Sequence, residues 1–324
     1  MNRAGRLFAA VLMSIGLVGA SAANAQAPYP ARPIRIVIGF GPGGLADITM
    51  RLVGQKLTEL TGQQVIIENR PGAGGVVAAG AVMQAAPDGY TLLVLSSGIA
   101  ISKSLLKTLP FDPVADFAPI STVAYFDLLI LAKADAPWRS VNDMLAAARA
   151  DPARFNVATI NPGSTQNLSA ELLKSATGIN MSIVPYRSTP EVATALLRQD
   201  AAIAVESYAA MKGQIDGGQI RPIASTGTAR SAVLPNVPTM RESGVPYEVM
   251  GWNALVAPAR APADIIELLN RHIQTIVAMP DVRQRLIDLG TEARASTPAE
   301  LGARLKSDLV MWADVVRKAG LDPK

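Results

Sequence analysis

Ile34-Arg35-Ile36-Val37-Ile38-Gly39-Phe40-Gly41-Pro42-Gly43-Gly44-Leu45-Ala46-Asp47 is the stretch on which the fold turns. Its first half is a β-branched apolar run and reads as a strand over 34–40. Its second half is a glycine-rich turn. Helical spacing follows from about Ala46 to Leu60 and stops at Thr61-Gly62. Further on, residues 64–68 read as a second strand, 74–85 as a small apolar helix and 91–96 as a third strand. Strand, helix, strand, helix, strand implies a parallel sheet with helices on both faces. Its strands are continuous apolar runs because both faces are covered.

The pattern restarts near the middle of the chain. Strands are expected at 128–132, 155–160, 183–186, 201–205 and 220–226, with helices at 140–150, 164–177 and 191–199. After a run at 249–257 come three helices, at 262–278, 281–289 and from the capping box Thr297-Pro298-Ala299-Glu300 to about Ala319. Two α/β units and a helical tail can be wired in sequence or interleaved. In the interleaved wiring the chain crosses near 120–130 and returns near 248–256, and two crossings make a hinge.

Three readings compete for the turn. Gly39-x-Gly41-x-x-Gly44 matches the dinucleotide fingerprint, with Glu59 or Glu68 as the ribose acid, but Pro42 lacks the N–H that should face a pyrophosphate. A P-loop fails because no Gly-Lys-Ser/Thr follows. The third reading is an anion site, in which backbone N–H groups at a helix N-terminus bind a carboxylate with no charged side chain. The bland alternative is a structural strand-to-helix turn. A second such turn, Asn161-Pro162-Gly163-Ser164-Thr165-Gln166, opens a helix in the other unit, and Ser164 and Thr165 are both caps and hydroxyl donors. Ser96-Ser97-Gly98 is a third polar strand end. Glu206-Ser207-Tyr208 follows an apolar strand, and Trp252 and Asn253 sit in the return crossing, where Trp252 is either core or cleft wall.

Composition removes other chemistries. Among 324 residues there is no cysteine and one histidine, His272. Thiol chemistry, disulfides and histidine metal clusters are excluded, a Ser/His/Asp triad is disfavoured, and no cofactor or metal is expected. The +4 charge comes from 30 basic against 26 acidic residues with no basic run, which argues against nucleic acid. Arg3 and Arg6, the apolar stretch from Leu7 to Gly19 and Ala23-Asn24-Ala25 form a secretory signal expected to be cleaved after Ala25. Cleavage would leave 299 residues and lower the charge to +2, since both arginines leave with the signal. The expected location is the periplasm, across the inner membrane.

Several segments in order resemble one family. They are Gly41-Pro42-Gly43-Gly44-x-x-Asp47, Glu68-Asn69-Arg70-Pro71-Gly72-Ala73-Gly74-Gly75, Ala86-Pro87-Asp88-Gly89-Tyr90-Thr91, Asp116-Phe117-Ala118-Pro119, Gly163-Ser164-Thr165-Gln166, Val184-Pro185-Tyr186-Arg187, Leu234-Pro235-Asn236-Val237-Pro238-Thr239 and Leu255-Val256-Ala257-Pro258. Together they resemble the Bug family, the substrate-binding proteins associated with tripartite tricarboxylate transporters.

The resemblance implies a two-domain α/β periplasmic binding protein, a Venus flytrap with parallel-rich sheets, interleaved wiring and an interdomain cleft. Domain 1 would comprise 26–125 and 252–324, and domain 2 residues 126–251. The cleft would hold a small organic acid, a mono- or dicarboxylate, in a protein that performs no reaction and is expected to be a monomer serving membrane transporter subunits. The alternatives are an exported α/β enzyme using the Gly-rich turn, or a sensor subunit for a membrane kinase. The ligand contacts implied are Phe40, Gly41, Gly43, Gly44, Leu45, Ala46 and Asp47 from the first turn, with Ser96 and Ser97. Asn161, Gly163, Ser164, Thr165 and Gln166 would come from the second turn, and Tyr186, Glu206, Ser207 and Tyr208 from the distal pocket. Pro71 to Gly75 would be a structural connection. Two departures stand out. Leu45-Ala46 replaces the Thr or Ser often found before Asp47, and Glu206-Ser207-Tyr208 replaces an Asp-Asn pair, a change expected to alter recognition of the ligand's far end.

Overall fold

The computed structural model describes residues 29–318 and 320. The expected signal and its cleavage after Ala25 lie outside the described residues. From Arg32 onward the chain forms one compact unit.

The glycine-rich stretch makes a strand, a turn and a helix. β1 is Ile34–Ile38 and α1 is Leu45–Thr61. α1 ends at Gly62, whose φ of 70° is left-handed and whose N–H donates to the Thr58 carbonyl. β2 (Val65–Asn69) and β3 (Thr91–Ser96) flank β1 in parallel, and α2 (Val76–Met83) precedes β3. α3 (Ser97–Leu105) begins where β3 ends, so the third polar strand end is a helix start. β4 (Phe117–Asp127) is a long strand.

β5 (Leu129–Lys133), α4 (Val141–Ala150), β6 (Asn156–Ile160), α5 (Thr165–Thr177), β7 (Ser182–Tyr186), α6 (Thr189–Arg198), β8 (Ile203–Glu206), α7 (Tyr208–Asp216) and β9 (Ile220–Ser225) follow. The chain then returns through β10 (Met250–Pro258) to α8 (Ala263–Ala278), α9 (Pro280–Asp288), β11 (Thr291–Ala293) and α10 (Pro298–Lys318).

Two sheets result. The first has the order β11-β4-β10-β3-β1-β2 and the second β7-β6-β8-β5-β9. The expectation of parallel-rich sheets needs correction, because both are mixed. β10 is antiparallel to β3 and β4, and β5 is antiparallel to β8 and β9. β10 and β5, the strands at the crossings, and the short β11, antiparallel to β4, all lie outside the strand-helix-strand repeats that make parallel pairs.

Only Leu128 separates β4 in the first sheet from β5 in the second. The return runs through Val249. Thr226 ties the two crossings together: its N–H donates to the Leu128 carbonyl (2.8 Å) and its Oγ1 to the Val249 carbonyl (2.7 Å). In exchange it accepts at both positions, from Leu128 N–H through Oγ1 (2.9 Å) and from Val249 N–H through its carbonyl (2.9 Å). One buried residue thus holds both hinge strands in register.

Trp252 is core, fully buried, with its Nε1–H donating to Asp308 Oδ2 at 2.6 Å. That bond fastens the return strand to α10. Arg304 closes the same carboxylate with a 2.8 Å ion pair. Among the described residues, no helix is long and apolar enough to cross a membrane.

Candidate functional site

Three helix N-termini converge between the two sheets. α1 starts after Gly44 and α3 after Ser96 on the first sheet, and α5 starts after Ser164 on the second. The first-turn N–H groups of a helix have no intrahelical acceptor, and the helix dipole adds partial positive charge there. In α1 the first i to i−4 bond is Ile48 N–H to Gly44, and in α5 it is Leu168 N–H to Ser164. The amides of Leu45, Ala46, Thr165 and Gln166 precede those bonds.

These ends line one narrow cavity of about 30 Å³. Gly44, Leu45, Ala46, Ser96, Thr165 and Gln166 supply its polar and backbone side. Phe40, Phe126 and Ile160 supply apolar wall, and Asn253 completes it. No charged side chain is in the lining. Asn253 is on β10, paired with Ser96 in register, and is 2% exposed. Its Nδ2 has no hydrogen-bond partner. Such a group is costly to bury and needs a physical reason.

The rim is closed by direct contact between lobes. Ser97 Oγ lies 2.9 Å from Thr165 Oγ1, and Ser102 Oγ donates to the Gly163 carbonyl at 3.2 Å. A Cβ on Gly98 would stand 3.0 Å from that same carbonyl oxygen, and one on Gly41 would stand 2.9 Å from the Arg187 carbonyl. Gly74 meets Gly163 backbone to backbone, where a Cβ would be 2.8 Å from the carbonyl. The 71–75 stretch is therefore more than a connection, since its glycine lets the lobes touch.

Of the expected contacts, Phe40, Gly44, Leu45, Ala46, Ser96, Thr165 and Gln166 are brought together. Gly41, Gly43, Gly163 and Ser97 stand at the rim or against the opposite lobe. The remainder do other work. Asp47 turns back on its own turn, accepting from Gly43 N–H (3.0 Å), Arg51 and Asn69. Burial disfavours its charge, but those donors outweigh burial and hold its carboxyl below the ordinary value. Ser164 is a helix cap, accepting from Asn167 N–H (3.0 Å) and donating to the Ile160 carbonyl at the end of β6 (3.3 Å), so its hydroxyl is committed within its own strand-to-helix turn. Asn161 is buried beside that cap with its Nδ2 unpartnered, but it is outside the cavity wall.

The distal pocket expected from Tyr186, Glu206, Ser207 and Tyr208 is not built that way. Tyr186, at the far edge of the second sheet, is off the cavity wall. Tyr208 bonds to Asp216 and Lys212 and packs against Gly290 of the first lobe. Glu206 is fully buried one shell further out. Thr189 Oγ1 (2.7 Å), Ser207 Oγ (3.0 Å), Ser207 N–H and Gln166 Nε2 all donate to it. Burial pushes its carboxyl above the ordinary range, and these hydrogen bonds pull it part of the way back. Glu206 therefore reaches the cavity only through Gln166.

Sequence reasoning missed Asn253, Phe126 and Ile160 as lining. A polar side chain inside the apolar run 250–258 was the available signal for Asn253. Phe126 and Ile160 look like any core residue of a strand. Among the described residues no group of three His, Cys, Asp or Glu side chains is placed to hold a metal ion.

Two α/β lobes joined by a paired crossing, with a buried donor-rich cavity between them, define a hinged binding protein. The chain is similar to solved structures throughout. A periplasmic binding protein, BugD, matches with a TM-score of 0.88 and 29% identity over 91% of this chain and all of that one. R. palustris Rpa4515 with adipate matches with a TM-score of 0.88 and 30% identity over 91% and 100% of the two chains. MatC from Rhodopseudomonas palustris with bound malate gives 0.85 and 30% over 89% and 100%. Among curated proteins, BugT of Bordetella pertussis is 33% identical over 97% of this chain and 98% of its own length. The model of the tripartite tricarboxylate transporter family receptor matches residues 49–321. The chain belongs to that receptor family, and its fold is that of the two-domain periplasmic binding proteins.

Proposed function

We propose that this protein is a periplasmic solute-binding protein that captures a small carboxylate between its lobes and presents it to a tripartite tricarboxylate-type transporter. The observation that carries this reading is the convergence of three helix N-termini, with the unpartnered Asn253 amide, on one cavity between lobes. Such a site offers hydrogen-bond donors and partial positive charge without a fixed cation. It suits an anion that must be released again. Similarity to chains with adipate and malate in their structures supports a carboxylate as that anion.

The polar lining is buried, so a ligand enters only when the lobes part. Ligand contacts on both lobes then favour the closed form, and a membrane partner reads closure. In this reading domain 1 comprises 26–125 and 252–324, and domain 2 comprises 126–251. The mature chain starts after Ala25, works as a monomer in the periplasm and catalyses nothing.

A thermal-shift screen of the mature protein against mono-, di- and tricarboxylates tests it. Ligand at about 100 times its Kd should stabilise the fold by about 2.7 kcal/mol. A shift with sugars or amines and with no acid would overturn the reading.

A further inference from the structure

The way Gln166 is held narrows the ligand class, on the premise that the cavity takes a carboxylate as proposed above. Gln166 Nε2 sits 3.4 Å from each oxygen of the buried Glu206 carboxyl. A carboxyl group already taking hydrogen bonds from Thr189 and Ser207 draws the nitrogen end of the amide toward itself. The oxygen end, Oε1, is what Gln166 has left to offer. No described group donates to it, and Gln166 lines the cavity.

The cavity is therefore two-sided. One side offers donors: the first-turn amides of α1 and α5 and the Ser96 hydroxyl, with Asn253, whose buried Nδ2 has no hydrogen-bond partner, also in the lining. The other carries an acceptor backed by a buried acid. No lysine or arginine lines the cavity to offset a second negative charge. A second ligand carboxylate would face Gln166 Oε1, where acceptor meets acceptor and neither gains a hydrogen bond for the water it gives up. A hydroxyl or ammonium at the same place would complete the hydrogen bond.

We infer that the preferred ligand is a monocarboxylate carrying one hydrogen-bond donor, a hydroxy or amino acid, and that the Glu206–Gln166 pair selects for that donor. Glu206 is a positioning residue, and Gln166 makes the contact.

Titration calorimetry of the mature protein with matched acids tests this. The probes are butyrate, 2- and 3-hydroxybutyrate, 2-aminobutyrate and succinate, with hexanoate, 6-hydroxyhexanoate and adipate as a longer set. At one chain length or the other, a donor-bearing acid should bind about tenfold or more tighter than both the plain acid and the diacid, the scale of one buried hydrogen bond. Gln166→Leu should abolish that ratio. Glu206→Gln, whose amide can donate to Gln166 Oε1 and turn it round, should shift preference toward the diacid. If Glu206→Gln does not fold, Gln166→Leu alone decides. At the chain length that binds better, a diacid binding as tightly as its hydroxy counterpart overturns the inference and leaves carboxylate capture standing. Absence of binding by every acid overturns carboxylate capture itself.

Discussion

Asn253 concentrates the chemistry of the site in one side chain. A buried amide nitrogen without a partner is a liability in the unliganded fold and an asset to a bound carboxylate. Asn253→Leu should leave the melting temperature unchanged or raise it, while weakening carboxylate binding by about 1.5–3 kcal/mol, the range for hydrogen bonds to charged groups. Calorimetric affinity beside a thermal melt checks both halves, and equal affinity would remove Asn253 from the site. Glu206 gives a prediction in pH. Burial raises its carboxyl above the ordinary 4.5, so the folded protein keeps that proton to higher pH than the unfolded chain does. Its contribution to stability is complete below the ordinary value and is lost as pH rises through the raised one. Glu206→Gln should flatten that decline in melts between about pH 4 and 8. A slope identical to the parent's would place the titration elsewhere.

At the scale of elements, α3 is the piece whose role was least visible. Its N-cap is Ser96, its first turn contributes Ser97, and its glycine contacts the opposite lobe. Gly98 is helical, so Gly98→Ala should keep or raise stability, with alanine favoured by about 0.5–1 kcal/mol in a helix. Its Cβ would press on the Gly163 carbonyl and hold the lobes apart. Affinity should fall at least about tenfold while the melt is unchanged or higher, and unchanged affinity would mean that the rim contact plays no part in closure. The turns at 40–47 and 161–166 were legible because glycine, proline and capping hydroxyls between a β-branched run and a helical period leave few conformations. α3 was not, since Ser97-Gly98 punctuates a turn as readily as it starts a helix. The distal pocket was misjudged for a related reason. Adjacency in the chain put Glu206, Ser207 and Tyr208 together, but one side chain is buried behind Gln166 and another faces Gly290.

For the whole molecule, the question is what keeps two lobes in register. Periodicity along the chain showed two α/β units but left their wiring open, because strand pairing across the 122 residues from Leu128 to Met250 leaves no local pattern. The topology puts β10 between β3 and β4, and Thr226 links both crossings with four hydrogen bonds. Thr226→Val keeps the shape and strands the Leu128 N–H. It should cost about 1–3 kcal/mol, the penalty for a buried unsatisfied group, read as a lower midpoint in urea. A variant as stable as the parent would show that the crossings do not depend on Thr226.

The most direct test is a crystal structure of the mature protein with the tightest-binding acid from the calorimetric panel. Its carboxylate should lie between the lobes within hydrogen-bond distance of the first-turn amides of α1 and α5, the Ser96 hydroxyl and Asn253 Nδ2. A carboxylate held instead in the groove of about 380 Å³ lined by Tyr125, Thr228 and Arg304, with no ligand among the three helix N-termini, would contradict it.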